Sequence, residues 1–590
     1  MSTKHFFSDP THLVLSALRS LTYTNPSLAF DEENKIIFRR PDTTSKSKVA
    51  VISGGGSGHE PAFAGYVGKG LLTASVAGTI FASPAAEQVR RAAIERVDTE
   101  KGVLIVPMNY TGDVLNFGMA AEKAKAAGQN VEFFAIGDDV GVARTKGGKV
   151  GRRGLAGGIL VLKIAGALAE TGASLDEVYR TALLAAANTV TLGSSLEHVH
   201  VPGREVSSEI VPNDEVEVGM GIHNEPGSHR MKGANLPTLV KTMLLQLLDH
   251  NDADRGWMKV ESGDKFVLLI NNLGSVSTLE LAGITAEVTA QLANDYNIKP
   301  VRTLQGMYLT SLNGLGFSIS LLKLVDTGLG AGRSLLELLD APAEAVGWTA
   351  PVQPSTWEEH AAGKPVEFKK AVYAQDVPSN LKLDPSQLKK SLSAGLQRII
   401  DAEPQVTRFD TIVGDGDCGV GLKRGAEAIL KLISEANLSD DIVLTVDRIV
   451  EVVEATMDGT SGAIYAIFLN ALVHGLRAQD TKGAATPVDA KIWAEALNSS
   501  VTALAKYTPA QIGDRTLIDA LVPFSKKLLE TKDVHAAAKA AQDGTEATKH
   551  LKASLGRSVY VGSEEEWLGK IPDPGAFGLS EFLTGLADSL

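Results

Sequence analysis

Three aspartates, Asp410, Asp415 and Asp417, stand in the stretch "FDTIVGDGDCG" with the spacing D-x4-D-x-D, next to the chain's single cysteine, Cys418. No lysine or arginine lies between them. Carboxylates gathered in this way raise one another's pKa unless a hard cation neutralises them, and Mg²⁺ prefers such oxygens. The oxygens of a bound phosphate would complete its octahedron, and the flanking glycines free the backbone to bring the three side chains together. The stretch is not an EF-hand, because glycine stands at the fifth loop position and no glutamate at the twelfth. A solvated acidic turn with helix-capping aspartates is the plain alternative.

Other stretches have the makings of a site. "MDGTSG", 457–462, precedes the helical run "AIYAIFLNALVHGL", so its small residues and free amides sit at a helix N-terminus, which favours phosphate. "GDRTLIDAL" (513–521), "GRSVYVG" (556–562) and "PDPGA" (572–576) are small-residue turns that packing alone does not require, with helix caps as the plain alternative. "VAVISGGGSGHEP", 49–61, runs from an apolar strand straight into glycines that let backbone amides approach a ligand. It lacks the Gly-Lys-Ser/Thr ending of a P-loop, and Pro61 stands where a dinucleotide fingerprint needs its last glycine. A small ligand is expected there rather than a nucleotide. "NYTGDVLNF", 109–117, follows the strand "GVLIVP" and starts a helix near Asp113, while "GMGIHNEPG", 219–227, presents His223 among turn residues. A lone histidine in such a turn is ordinarily structural.

The elements that must position these residues fall into two parts. Between 49 and 340, short apolar runs such as "VAVI", "GVLIVP", "VEFFAI" and "KFVLLI" alternate with helical patterns, the rhythm of an α/β fold. The stretch 349–384 is rich in proline and charge without sustained period and reads as a linker. That boundary gives an α/β domain at 1–348, with room for two α/β subdomains dividing near 190–260, and a second domain at 385–590. The second opens on Asp384 as N-cap and Pro385 at the first helical position, with Leu388, Leu392, Leu396 and Ile399 on one face. Helical spacing recurs to the C-terminus with no convincing strand run, so an all-α domain is expected.

The chain has 590 residues, 44 % hydrophobic and 22 % charged, the composition of a globular protein with more than one core. A formal net charge of −13 repels a phosphate backbone, which speaks against nucleic acid as a partner. No apolar run is expected to reach the ~18 residues of a membrane span. The lone cysteine and an N-terminus without a long apolar core predict a cytoplasmic protein.

Taken in order, "ISGGGSGHEP", "NYTGDVLNFG", "GDDV", "GRRGLAG", "GSSLEH", "GMGIHNEPG", "NNLGSVS" and "GDGDCG" resemble the ATP-dependent dihydroxyacetone kinases in their two-domain form, over nearly the whole chain. The resemblance implies an α/β substrate domain followed by an all-α helical barrel that holds ATP, in homodimers whose two domain types face each other across subunits. It implies phosphorylation of dihydroxyacetone, with D-glyceraldehyde as a second acceptor, and a substrate carbonyl held covalently on His223 as a hemiaminal. Neutral imidazole has a free nitrogen that can add to a ketone or aldehyde, and glycerol has no carbonyl to trap. Gly56, Ser57, Gly58, His59 and Asp113 would surround the substrate, with His59 or Asp113 as general base. Asp410, Asp415 and Asp417 would hold two Mg²⁺ ions on the ATP phosphates. Gly459, Thr460, Ser461, Leu517, Gly556, Arg557, Asp573 and Gly575 would enclose the nucleotide. Two departures stand out: Met108 where the family often carries lysine, and Asp458 in "DGTSG" where relatives usually read "GGTSG", a carboxylate expected to repel the phosphates. Two other functions compete: cleavage of FAD to AMP and cyclic FMN by the nucleotide domain, and a non-catalytic triose-sensing module.

Overall fold

The computed structural model describes residues 4–41, 46–205, 210–326, 328–329, 332–360, 377–435, 438–457, 459–481, 483–555 and 564–590. The chain divides into two compact units, Met1–Val366 and Glu367–Leu590.

The first unit is built on two mixed six-stranded sheets. One contains β1 (Leu28–Asp31), β2 (Ile36–Arg39), β3 (Ala50–Ser57), β4 (Ala74–Ile80), β5 (Val103–Ile105) and β6 (Val131–Phe133), in the order β1-β2-β4-β3-β5-β6. The strands β4, β3, β5 and β6 run parallel, and β2 pairs antiparallel with both β1 and β4. Strand β3 is buried along almost its whole length, as expected of a parallel strand covered on both faces. Its sequence neighbours β4 and β5 lie on opposite sides of it, so a crevice opens at its carboxyl end. The second sheet contains β7 (Thr189–Ser195), β8 (Glu215–Val218), β9 (His229–Lys232), β10 (Lys265–Asn272), β11 (Arg302–Gly306) and β12 (Gly316–Leu324), in the order β11-β10-β12-β7-β8-β9. Only the β10–β11 pair is parallel.

The helix Gly157–Glu170, "GGILVLKIAGALAE", touches β3 of the first sheet and β7 and β12 of the second, which accounts for its being apolar all round. Its one lysine, Lys163, is buried with it and donates from Nζ to the Leu338 carbonyl at 2.9 Å. Burial pulls this amine down to about 8.

The second unit is helical. Among its described residues, the helices Pro385–Val413, Cys418–Glu435, Ile442–Thr456, Gly459–Arg477, Ala490–Leu504, Ile518–Thr531 and Val534–Ala547 each pack on the next. The last, Pro574–Asp588, packs on both Val534–Ala547 and Pro385–Val413 and so closes a ring. The ring encloses an apolar cavity of about 520 Å³. This corrects one expectation: Gly459–Arg477 is long and apolar enough to cross a membrane by length and composition. In the ring its Ile464, Tyr465, Phe468, Leu469 and Leu472 line the cavity, which explains an apolar stretch on a helix only partly covered by neighbours. A second difference is a parallel pair of two-residue strands, Leu381–Lys382 with Thr486–Pro487, too short to leave a periodic signal.

Candidate active site

In the first unit the convergent residues come from the ends of strands. His59 follows β3, Asp113 lies in the first turn of the helix Thr111–Ala126 after β5, and His223 follows β8 of the other sheet. The two histidines meet edge to face, Nε2 to Nε2 at 3.1 Å, and His59 Nδ1 lies 2.8 Å from the Thr310 carbonyl. His59 is 3 % exposed, and burial, with His223 beside it, pulls its pKa down to about 3, so it is neutral. Phe81 stacks on His59, and the rings of Phe81 and Tyr110 stand perpendicular to His223 with centroids 5.1 and 4.8 Å away. His223 Nδ1 lies 2.8 Å from a carboxylate oxygen of Glu225.

Asp113 is 6 % exposed and its Oδ1 has no hydrogen-bond partner. Burial pushes this carboxyl up to about 6, against the opposing pull of the Ser83 hydroxyl and of His223. A buried acceptor with an open lone pair near the His223 imidazole is suited to take a proton from a small polyol. The glycine loop supplies the wall. A Cβ on Gly56 would come within 2.7 Å of the Ala82 amide nitrogen, so only glycine lets the loop lie against the Phe81–Ala82 backbone. Gly58 donates its N–H to the Glu60 carboxylate, and Ser57 turns its hydroxyl to the Gly78 carbonyl at 2.9 Å.

In the second unit, ligand oxygens of Asp410, Asp415 and Asp417 lie within 4.8 Å of one another. Asp410 is half-buried and its Oδ2 accepts from the Cys418 backbone N–H, while Asp415 and Asp417 are exposed. Gly416, between the exposed pair, has φ +81°, a left-handed turn that glycine adopts without strain. Burial pushes the Cys418 thiol up to about 12, and the carboxylates of Asp410, Asp573 and Asp417 add to the shift. Cys418 Sγ lies 3.8 Å from Ser461 Oγ, which places the carboxylate cluster beside the Gly459–Arg477 N-terminus with Thr460 and Ser461. Gly459 also has left-handed φ, +68°. Leu517 and Gly575 adjoin, and Asp573 caps the helix Pro574–Asp588 through the Ala576 N–H. Burial pushes Asp573 up to about 6. Gly556, Arg557 and Asp458 lie outside the described residues. A cluster of three carboxylates fits a hard divalent ion.

Residues 19–347 match the Dak1 domain and residues 412–588 the DAK2 domain. The chain belongs to the two-domain dihydroxyacetone kinases. It is 42 % identical to the "Dihydroxyacetone kinase" of Pichia angusta over 609 aligned positions, covering 100 % of this chain and 99 % of the relative. It is 35 % identical to the "Triokinase/FMN cyclase" of Homo sapiens, covering all of both chains. Among solved structures it matches the dihydroxyacetone kinase from C. freundii in complex with AMP-PNP and Mg²⁺, with 32 % identity, full coverage of both chains and a TM-score of 0.63.

The Met108 departure now has a physical account. In this kinase Met108 is 2 % exposed, and a Cβ on Gly154 or Gly158 would meet its side chain within 2.7 Å, so the thioether is clamped in the core where a lysine head group would find no water. Sequence reasoning misses Glu225, Tyr110 and Phe81 altogether. It also quotes "GDDV" and "GRRGLAG" without seeing that Asp139 and Arg153 pair at 2.7 Å behind the His223 turn. The one available signal is the acid two residues after His223.

Proposed function

We propose that this kinase transfers the γ-phosphoryl group of ATP to dihydroxyacetone, and to D-glyceraldehyde, with the carbonyl carbon held on His223 Nε2 as a hemiaminal. The observation that carries this reading is the part-buried meeting of His223 with the buried His59, close to the open Oδ1 of Asp113. Nε2 of His223 forms the bond to carbon, and Asp113 takes the proton of the attacking hydroxyl. Asp410, Asp415 and Asp417 would hold Mg²⁺, which when bound neutralises the phosphate oxygens. Thr460, Ser461 and the free amides of their helix end would donate to those oxygens, and Leu517, Asp573 and Gly575 would wall the nucleotide.

The assignment of Asp113 as base predicts a pH dependence with a definite sign. A base works only when ionised, and the raised pKa of about 6 delays ionisation, so kcat/KM with dihydroxyacetone rises as pH climbs through about 6 and is level above it. Steady-state assays from pH 5 to 8 measure this. Asp113→Asn should flatten the limb and lower kcat by roughly 10²-fold or more, the usual scale of general-base assistance. A limb that survives in Asp113→Asn assigns the titration elsewhere.

A second activity, formation of cyclic FMN from FAD, is supported by the name of the human relative and by the carboxylate cluster. Incubation of the purified protein with FAD and Mn²⁺ and detection of cyclic FMN tests it.

A further inference from the structure

We propose that Glu225, braced by Arg153 and Asp139, is a positioning residue for His223: it fixes the Nδ1–H tautomer, leaves Nε2 to the substrate carbonyl, and balances the positive charge that the ring acquires on forming the bond. This deepens the hemiaminal reading and rests on it.

Both oxygens of Glu225 are spent on one residue. Oε2 accepts from the His223 backbone N–H at 2.9 Å and Oε1 from Nδ1 at 2.8 Å. The turn between them is tied to a neighbouring segment. Asn224, at φ +66°, accepts from the Val199 N–H and donates to the Val199 carbonyl. A Cβ on Gly221 would lie 2.1 Å from Glu225 Oε2 and 2.5 Å from an Arg153 guanidinium nitrogen, so the carboxylate and the guanidinium both pack over that glycine. Arg153 donates to Asp139 from Nε at 2.8 Å and to the Gly219 carbonyl at 2.7 Å, just ahead of the His223 turn. Asp139 is fully buried and also accepts from the Gly141 N–H. Burial works against ionisation of Glu225, but its hydrogen bonds and charge contact with His223, aided by Arg153, hold it down at about 2. A turn that only had to be rigid would not need the second oxygen on the imidazole.

The proton count follows from the acceptors. The Thr310 carbonyl can only accept, so His59 carries its proton on Nδ1, and Glu225 keeps one on His223 Nδ1. The two Nε2 atoms lie 3.1 Å apart. Tyr110, Phe81, Asp113 and Arg153 are the other groups around this pair. When the His223 Nε2 lone pair forms the bond to carbon, the carbonyl π pair moves to oxygen, which takes a proton from water to become the new hydroxyl and leaves hydroxide to the solvent. The ring is left as an Nε2-substituted imidazolium with its Nδ1–H on Glu225. His59 stays neutral, and the positive charge that His223 gains is balanced by the Glu225 carboxylate on its Nδ1–H.

The test uses the full chain labelled with ¹⁵N at its histidine rings, with His223→Asn to assign the signal. Wild type, Glu225→Ala and Glu225→Gln are compared without substrate and then with dihydroxyacetone carrying ¹³C at its carbonyl carbon. Wild type should show His223 protonated at Nδ1, and the adduct as a one-bond ¹⁵N–¹³C coupling to Nε2. Glu225→Ala should mix the tautomers. Glu225→Gln keeps an acceptor without the charge and should keep Nδ1–H, and both variants should lose the adduct at least tenfold with unchanged thermal midpoint and ATP binding. A normal wild-type adduct together with wild-type tautomer and yield in Glu225→Ala overturns the role of Glu225 alone. The tautomer shift in Glu225→Ala without any wild-type adduct overturns the hemiaminal, and with it the charge-balancing role.

Discussion

Asp415→Ala or Asp417→Ala lowers phosphoryl transfer by about 10³-fold, the scale on which loss of one preorganised electrostatic stabiliser is felt, and leaves dihydroxyacetone binding intact. Each carboxylate would supply one of the three clustered oxygens that hold the ion, and both residues are exposed at a turn, so alanine costs the fold little. The substrate crevice belongs to the other unit, with a separate core. Asp410 is a less clean target: its Oδ2 caps the helix Cys418–Glu435 through the Cys418 N–H, so its removal would also cost about 1 kcal/mol of helix stability. Rates of ADP release beside ¹³C spectra of bound dihydroxyacetone separate the two effects. Retention of the wild-type rate in Asp415→Ala and Asp417→Ala would remove the metal role.

His223→Ala abolishes the covalent adduct. Among the side chains at the crevice, His59 has the other imidazole, but it is buried with Nδ1 committed to the Thr310 carbonyl, and its Nε2 faces His223. With ¹⁵N-histidine protein and ¹³C-labelled dihydroxyacetone, the one-bond coupling present in wild type should vanish in the variant. KM for the triose should rise and discrimination against glycerol should fall, because what rejects glycerol is the absence of a carbonyl to trap. A coupling that persists in His223→Ala assigns the nucleophile to another histidine.

Much of this architecture is legible in the residues themselves, for identifiable reasons. Strand β10 and the first half of β3 are covered on both faces and therefore read as short apolar runs. The carboxylate cluster is legible because its three members fall within eight consecutive residues, and Asp113 because a strand, a turn and a helix start follow in immediate succession. What is not legible depends on closure in space. The Gly459–Arg477 run looks like any buried helix until the ring shows that it faces a cavity. Glu225, Arg153 and Asp139 stand far apart in the sequence and carry no spacing that joins them. Only when β8 brings its following turn against the 138–153 segment do the Asp139–Arg153 pair and the Glu225–His223 pair come together over Gly221.

The most direct measurement of the account is a phosphorus NMR assay of the purified chain alone with ATP, Mg²⁺ and either dihydroxyacetone or glycerol. The account predicts a triose phosphate and stoichiometric ADP from dihydroxyacetone without any partner protein, and glycerol phosphorylated at least a hundredfold more slowly, on the scale of discrimination by a group that the site is built to bind. Absence of triose phosphate, or glycerol phosphate formed at a comparable rate, would contradict it.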